Sequence, residues 1–454
     1  MHYNCESNHH VTIYDIDDKR LLAIDPDTVF WSLISKERDL DSTLTKEVIP
    51  IYEKFKHDLA KEMQGFRFES NLTAVYINPV DICNANCTYC YVPASLRRNG
   101  TRMNRHQLEE VLTRIFDYFL EARGNVESKP VIVFHGSEPL LIKDAIFDSI
   151  RDFNDRFHFG IQTNALLLED RDVDLLKQYG VSVGVSLDSP QRETNDYQRK
   201  TVSGKGTFDK VVEAINWFDG YEGLSVICTI TKYNVNQLPE AISFLHQKKV
   251  PIVLLNPVRG TQSPARSLQP RQEDLITYFI AAVERAIELS KTSKDKIIIG
   301  NFTDLILGII APTARRLMCN ITPCGGARCF LTVTANGDFI PCGEFIGFEE
   351  FHAGNIFHST IKEAMESHAF KKVRARIVEK IEECETCIFR NICGAPCPAE
   401  LYSNYKDMYR PSPYCDFYKE LITYAFKAIA EDNVKHLLRD KALENLEYKY
   451  KYIR

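Results

Sequence analysis

The sequence has no basic excess. Its 454 residues carry 56 Lys and Arg against 62 Asp and Glu, a formal net charge of −6. Phosphate binding needs a basic surface, so this balance argues against nucleic acid as the main partner. No apolar run approaches the roughly 20 residues that span a bilayer, and no membrane partner is expected. Met1 to His10 is polar and lacks the apolar centre of a secretory signal, so a cytoplasmic location is expected. Repeats and low-complexity segments are missing too, which excludes solenoids and compositionally disordered chains. What remains is an ordinary globular composition, 44% hydrophobic and 26% charged, in a chain long enough for two or three domains.

A reducing compartment does not keep structural disulfides, so the 14 cysteines are informative. Three fall at Cys83, Cys87 and Cys90, nine lie between Cys319 and Cys415, and only Cys5 and Cys228 stand apart. Thiols grouped at ligand spacing read as metal or cluster ligands. Cys228 lies in an apolar run and reads as a buried thiol, and Cys5 as part of a polar tail.

From residue 72 to about 292, strands and helices alternate. Strands are expected at 73–77, 131–134, 158–162, 181–186, 224–230 and 252–255, with helical spacing at 107–119, 142–153, 208–218, 238–246 and 273–289. Six βα units in a row imply a parallel sheet, flat or curled, with right-handed crossovers and ligands at the carboxyl ends of its strands. Ahead of it, 10–16 and 20–24 read as short strands. Pro26 then stands where a first helical residue would, with Val29, Phe30, Leu33 and Ile34 at helical spacing, and a longer helix is expected at 46–63. This makes a small ββα unit. The resulting divisions are 1–71, 72–292, a bridge at 293–318 with a helical centre at 302–310, a cysteine-rich region at 319–420, and a charged C-terminal helix at 421–454.

Cys83-x3-Cys87-x2-Cys90 directly follows the first strand of the alternating region. Three thiolates on one loop can hold three irons of a [4Fe–4S] cluster and leave the fourth open. Zinc also takes thiolate, and would need a fourth ligand such as His106. The spacing, with Tyr89 before the last cysteine, resembles the signature of the radical S-adenosylmethionine (SAM) superfamily. The likeness continues at the following strand ends. His135-Gly136-Ser137-Glu138-Pro139-Leu140 is similar to that family's Gly-Gly-Glu-Pro element, with Ser137 in place of a glycine. Gln162-Thr163-Asn164 and Ser186-Leu187-Asp188 are similar to its pocket-lining strand ends. The resemblance implies an α/β fold with a partial (β/α)6 barrel and an oxidoreductase activity. It implies a catalytic cluster on Cys83, Cys87 and Cys90, with S-adenosyl-L-methionine as cofactor. Gly136, Ser137, Glu138, Asn164, Ser186, Asp188 and Arg199 would surround the cofactor, with Ser186 at the ribose and Arg199 at the carboxylate.

Cys384-x2-Cys387-x5-Cys393-x3-Cys397, followed by Cys415, is the most specific spacing in the chain. Upstream, Cys324 and Cys342 bracket a hairpin-like stretch with turn residues Asn336-Gly337. Four-cysteine sets also suit structural zinc. The whole region resembles the SPASM domain, the two-cluster extension of radical SAM enzymes that modify peptides and proteins. That resemblance implies three [4Fe–4S] clusters in all. The outer auxiliary cluster falls to Cys384, Cys387, Cys393 and Cys415. The inner one falls to Cys324, Cys342 and Cys397, with Cys319 preferred to Cys329 as its fourth ligand.

The N-terminal unit resembles the leader-recognition domains of peptide maturases, which bind a leader as an added strand; a structural cap is the alternative. Sulfatase-maturating enzymes carry an aspartate after the cysteine that matches Cys342, where this chain has Gly343-Glu344. The expected activity is modification of a ribosomally made precursor peptide by a thioether cross-link from cysteine, with electrons from a flavodoxin- or ferredoxin-type donor. Oxidation of serine or cysteine to a formylglycine-like aldehyde is the alternative within the same chemistry. A non-catalytic iron–sulfur electron carrier is the alternative outside it.

Overall fold

The structure, a computed structural model, describes residues 11–123, 129–315 and 318–440. Strands β1 (Thr12–Asp15), β2 (Arg20–Asp25) and β3 (Phe30–Ser35) form an antiparallel sheet in that order. The third strand corrects the helix expected after Pro26. Asp25 Oδ1 accepts the Asp27 amide at 3.0 Å and Oδ2 accepts the Thr28 hydroxyl at 2.6 Å, which closes 25–28 as a turn. Beyond the turn Phe30, Ser32 and Ile34 are buried while Trp31 and Leu33 are half-buried, the period of a strand. Over so short a span the apolar residues satisfy both periods, and pairing with β2 from Arg20↔Ser35 to Asp25↔Phe30 decides between them. The unit is βββα. Its long helix, Ile49–Phe68, continues helical turns that start at Leu40, so it outruns 46–63 at both ends.

The larger sheet runs β10-β9-β8-β7-β6-β5-β4-β11-β12. Strands β4 (Ala74–Ile77), β5 (Val131–Phe134), β6 (His158–Thr163), β7 (Ser182–Ser186), β8 (Leu224–Ile230) and β9 (Ile252–Pro257) are parallel neighbours joined by helices, the expected series. Within the bridge, β10 (Ile298–Ile299) adds a short seventh parallel strand beside β9, ahead of the helix Gly300–Ile310. Strands β11 (Phe330–Val333) and β12 (Phe339–Ile340) form the expected hairpin, and β11 also lies parallel to β4. The cysteine-rich region therefore shares a sheet with the first barrel strand. Side chains on β4, β5 and β8 alternate between buried and more exposed, while β6 and β7 are each buried over three residues in a row. Half-buried Tyr76, Val133, Gln162, Ser186 and Thr229 share the inner face toward the carboxyl ends of β4 to β8.

The N-terminal sheet packs on the far end of the chain. Trp31 donates its indole N–H to the Ile309 carbonyl at 2.9 Å and stacks edge-on against Phe426. Arg390 reaches Asp27 at 2.5 Å, and the Asn391 amide donates to the Pro26 carbonyl at 2.9 Å. The expected C-terminal helix is observed as Cys415–Ala430 and the short Val434–Leu437, while 441–454 and Cys5 lie outside the described residues. Among the described residues no helix is long and apolar enough to cross a membrane.

Candidate active site

Cys83, Cys87 and Cys90 sit on the irregular loop after β4, and its backbone is tied down on both sides. The Asn86 amide donates to the Lys200 carbonyl at 2.7 Å, Thr88 to Gln198 at 3.0 Å, and Val202 back to Asn84 at 3.0 Å. On the other flank the Cys83 amide donates to the Arg97 carbonyl at 3.3 Å, and the Arg97 guanidinium donates to Asn86 Oδ1 at 3.0 Å. The three thiols feel one another. Burial pushes Cys83 up to about 12, with Glu138, Cys87 and Cys90 adding to the rise. Burial also raises Cys90, to about 11, and Cys87, the latter against the opposing charge of Arg199. Three buried, mutually repelling sulfurs become thiolates only when a metal takes the place of their protons. This donor set, three sulfurs on one pinned loop, fits a cluster with one iron left open.

The following strand ends are locked to this loop. Gly136 has φ +102, and a Cβ there would come within 2.7 Å of the Asn78 side chain. Asn78 is fully buried at the end of β4, and its amide atoms have no hydrogen-bond partner among the described residues. Ser137, the departure from two glycines, donates its hydroxyl to the Asp81 carbonyl at 2.6 Å and so joins β5 to the loop. Glu138 is fully buried. Its Oε1 accepts from the Leu140 amide at 3.1 Å and the Thr163 hydroxyl at 2.7 Å, and its Oε2 from the Asn164 amide at 2.8 Å. Asn164 in turn donates to Asn84 Oδ1 at 2.7 Å and approaches Cys83 Sγ at 3.8 Å. Glu138 thus acts here as a positioning residue whose carboxylate holds β6 against the cysteine loop. In Glu138→Gln either orientation of the new amide sets an N–H against a backbone N–H. We expect a loss of about 1–3 kcal/mol, read as a lower thermal midpoint of the metal-free protein.

Asp188 and Arg199 meet around Tyr89. The Tyr89 hydroxyl donates to Asp188 and accepts from Arg199 Nη1 at 2.5 Å, and the Arg199–Asp188 pair stands at 3.9 Å. Asp188 is fixed by the Thr229 amide at 3.0 Å and, through its own carbonyl, by the Asn234 amide at 2.6 Å. Cys228 donates to the same carbonyl at 3.3 Å, a buried thiol as expected. The Arg199 guanidinium is thereby engaged by protein groups and lies in the field of Cys87. Ser186 ends β7 half-buried on the inner face.

In the second cysteine region, Cys384, Cys387, Cys393 and Cys415 line one cavity with Phe389, Arg390 and Lys419. Burial raises Cys393 to about 12 and Cys384 to about 11, and the other thiols of the set add to both. A separate group forms at the hairpin. Burial pushes Cys324 up to about 12 and Cys342 well up, and for both the next causes are Cys319 and Cys397. Cys329 stands outside this group: burial raises it and only Arg328 opposes. Between the two groups lies Arg376, buried, donating to the Met408 and Ala395 carbonyls, each at 2.6 Å. It feels Cys324 and Cys397 from one group and Cys384 and Cys393 from the other.

Sequence reasoning missed what lies between the first loop and the hairpin group. Tyr91 and His135 are in contact, hydroxyl to Nδ1 at 3.4 Å. Burial raises Tyr91, and Glu344, Cys90 and Cys342 add to the rise, so this phenol faces both cysteine groups. Burial lowers His135 to about 4, which leaves its imidazole neutral near pH 7. Glu344 accepts from Arg259 at 3.2 Å and from the Thr261 hydroxyl at 2.9 Å. His135 was legible only as the first letter of the His135–Leu140 motif; Tyr91 and Arg259 carried no local signal.

The radical SAM superfamily profile matches residues 77–245, and the SPASM iron–sulfur cluster-binding domain matches residues 324–388. An uncharacterized protein of Archaeoglobus fulgidus is 46% identical over 436 residues, 95% of this chain and 98% of its own. The cysteine-type anaerobic sulfatase-maturating enzyme of Clostridium perfringens is 25% identical over 375 residues, 78% of this chain and 96% of its own. Streptococcus suis SuiB bound to precursor peptide SuiA superposes with a TM-score of 0.58 at 14% identity, covering 91% of this chain and 100% of that one. With the cysteine loop, the strand ends and both profiles in agreement, the chain belongs to the radical SAM superfamily and is an enzyme of it that carries a SPASM iron–sulfur domain.

Proposed function

We propose that the chain modifies a ribosomally made peptide, holds three [4Fe–4S] clusters, and installs a thioether cross-link from a substrate cysteine. One observation carries this reading: Tyr91, next to Cys90, lies against Gly343, next to Cys342, with its hydroxyl 3.5 Å from where a Cβ on Gly343 would stand. A peptide seated there lies between the loop of Cys83, Cys87 and Cys90 and the hairpin group. That loop would hold the cluster that binds SAM. Cys319, Cys324, Cys342 and Cys397 would hold the inner auxiliary cluster, and Cys384, Cys387, Cys393 and Cys415 the outer one. SAM held by that loop and the neighbouring strand ends would supply, on one-electron reduction, the radical chemistry that takes a hydrogen atom from the substrate.

The protein positions the reactants and moves a proton. Glu138 and Ser137 hold two strand ends to the cysteine loop. Gly136, Asn164, Ser186, Asp188 and Arg199 surround the place where SAM would lie. Thioether formation removes two hydrogens, one as an atom and one as the thiol proton, and the electron left when the C–S bond closes would pass to the inner auxiliary cluster. Neutral His135, beside Tyr91, is placed to receive that proton.

Residues 1–71 form the leader-recognition unit in this reading, 72–292 the barrel, 293–318 a bridge and 319–420 the SPASM region, with 421–454 closing the chain. Among the described residues the outer edges of β1 and β3 pair with no further strand, so either can take a leader by main-chain hydrogen bonds. SuiB, which shares the fold and is bound to a precursor peptide, supports a peptide substrate. The setting is cytoplasmic, and the electron source a flavodoxin- or ferredoxin-type protein.

Formylglycine formation is favoured by the sulfatase-maturating relative. Against it, Glu344 is held by Arg259 and Thr261 rather than free as a base. Product mass and reactivity test the choice, with synthetic cysteine-containing peptides as substrates. A thioether product is lighter by two hydrogens and reacts with neither thiol nor carbonyl reagents; a carbonyl-reactive product overturns the reading. Glu344→Gln should slow thioether formation less than about 10-fold, because His135 remains, whereas an aldehyde mechanism that uses Glu344 as its base should lose about 100-fold or more.

A further inference from the structure

The segment that straps the cysteine loop carries an exposed patch that the chemistry above does not use. Val202 is 70% exposed, Tyr197 51% and Tyr233 38%. The two tyrosine rings meet edge-on at 4.9 Å. Lys200 Nζ stands 5.8 Å from the Tyr197 ring and Lys232 Nζ 5.2 Å from the Tyr233 ring. Lys205 sits on the same tight turn as Val202, where the Thr201 amide donates to the Lys205 carbonyl at 2.8 Å. The result is an apolar centre ringed by cations.

Most acidic groups nearby are turned away or paired. Asp196 Oδ1 accepts from the Thr207 and Phe208 amides at 2.8 and 2.9 Å, and Asp209 pairs with Arg192. Glu193 remains as an exposed carboxylate on this segment. Among the described residues none of the three lysines pairs with a carboxylate. An aromatic centre flanked by three such lysines and one carboxylate is mainly cationic and suits a brief encounter with a partner of opposite charge.

The patch is also one strand layer from the cysteines. Asn84, Asn86 and Thr88 of the loop bond directly to Val202, Lys200 and Gln198, and adjacent strands stand about 4.8 Å apart. An electron arriving at the strap reaches the loop through hydrogen bonds, with no cavity to cross. We infer that this patch is the docking surface for an acidic one-electron donor protein. The donor is oxidised by one equivalent, the electron passes to the group held by Cys83, Cys87 and Cys90, and no bond forms or breaks at the surface. The inference rests on the reading that those cysteines hold a cluster.

Two reductants separate the inference from that reading. The double variant Lys205→Glu/Lys232→Glu and the single variant Val202→Glu are compared with wild type as reconstituted holoenzymes. Formation of 5′-deoxyadenosine is driven either by a reduced acidic flavodoxin or by dithionite, which needs no docking. Binding of the oxidised flavodoxin is measured separately by NMR line broadening of the labelled donor. The double variant should lose about 10-fold or more in both flavodoxin binding and flavodoxin-driven rate, while its dithionite-driven rate stays at the wild-type level; Val202→Glu should move the same way. Added salt should weaken wild-type binding alike. Unchanged flavodoxin binding, or equal losses with both reductants in both variants, overturns the inference. Wild-type protein that makes no 5′-deoxyadenosine even with dithionite overturns the cluster reading itself.

Discussion

Cys87→Ala should abolish the cleavage of SAM to 5′-deoxyadenosine by the reduced, reconstituted protein, with a residual rate at least about 1000-fold below wild type. Cys87 is the middle cysteine of the loop, beside the strap at Gln198–Lys200 and in the field of the buried Arg199 guanidinium. Removing it leaves Cys83 and Cys90, too few for three irons, and deprives Arg199 of a thiolate that it faces. The fold should survive, because the loop is fastened by main-chain bonds from Asn84, Asn86 and Thr88 that the substitution leaves intact. Total iron should fall by about one third while the auxiliary centres stay, since the proposed ligand sets are separate. Persistent cleavage in this variant would remove the basis for assigning the catalytic centre to the loop. A protein that fails to fold is told apart by its lost auxiliary iron.

What could be read before folding follows a physical division. The six parallel strands β4 to β9 were legible because a strand buried against helices on one face leaves an apolar run bounded by turn residues. The cysteine sets were legible because ligand spacing is local along the chain. Residues 26–34 failed as a helix because Val29, Phe30, Leu33 and Ile34 satisfy both periods, and the choice lies in the long-range pairing of β3 with β2. Strand β10, two residues long, carries too little pattern to be seen. The parallel pairing of β11 with β4, which joins the cysteine-rich region to the barrel, joins residues far apart in the chain and left no local mark. The same holds inside the site. Glu138 was found by its motif, yet its role in holding the Asn164 amide shows only when β5 and β6 lie side by side. Arg376, set between two thiol groups, sits at the end of an ordinary short helix and has no sequence signature at all.

The choice between Cys319 and Cys329 brings the other large expected effect. Cys319→Ala should lose the inner auxiliary cluster, whereas Cys329→Ala should keep its full iron content and its spectrum. Distance along the chain favours Cys329, which immediately precedes β11. Its backbone, however, is committed elsewhere: the Cys329 carbonyl accepts from the Thr73 amide at 2.9 Å and the Thr73 hydroxyl at 3.3 Å. Its thiol answers to Arg328 alone. Cys319, by contrast, acts on Cys324, Cys342, Tyr76 and Arg259, so its thiol stands on the exposed side of the hairpin group and within its electrostatic reach. Arg259 links this position to Glu344, which it holds at 3.2 Å. Loss of the inner centre should therefore free Arg259 from the thiolates beside it and tighten its pairing with Glu344. Peptide modification should fall by about 100-fold or more in Cys319→Ala, while SAM cleavage without peptide stays within a few-fold of wild type, because the first loop is untouched. Iron analysis and electron paramagnetic resonance of the two variants check the assignment; equal iron loss in both, or loss in Cys329→Ala alone, would reverse it.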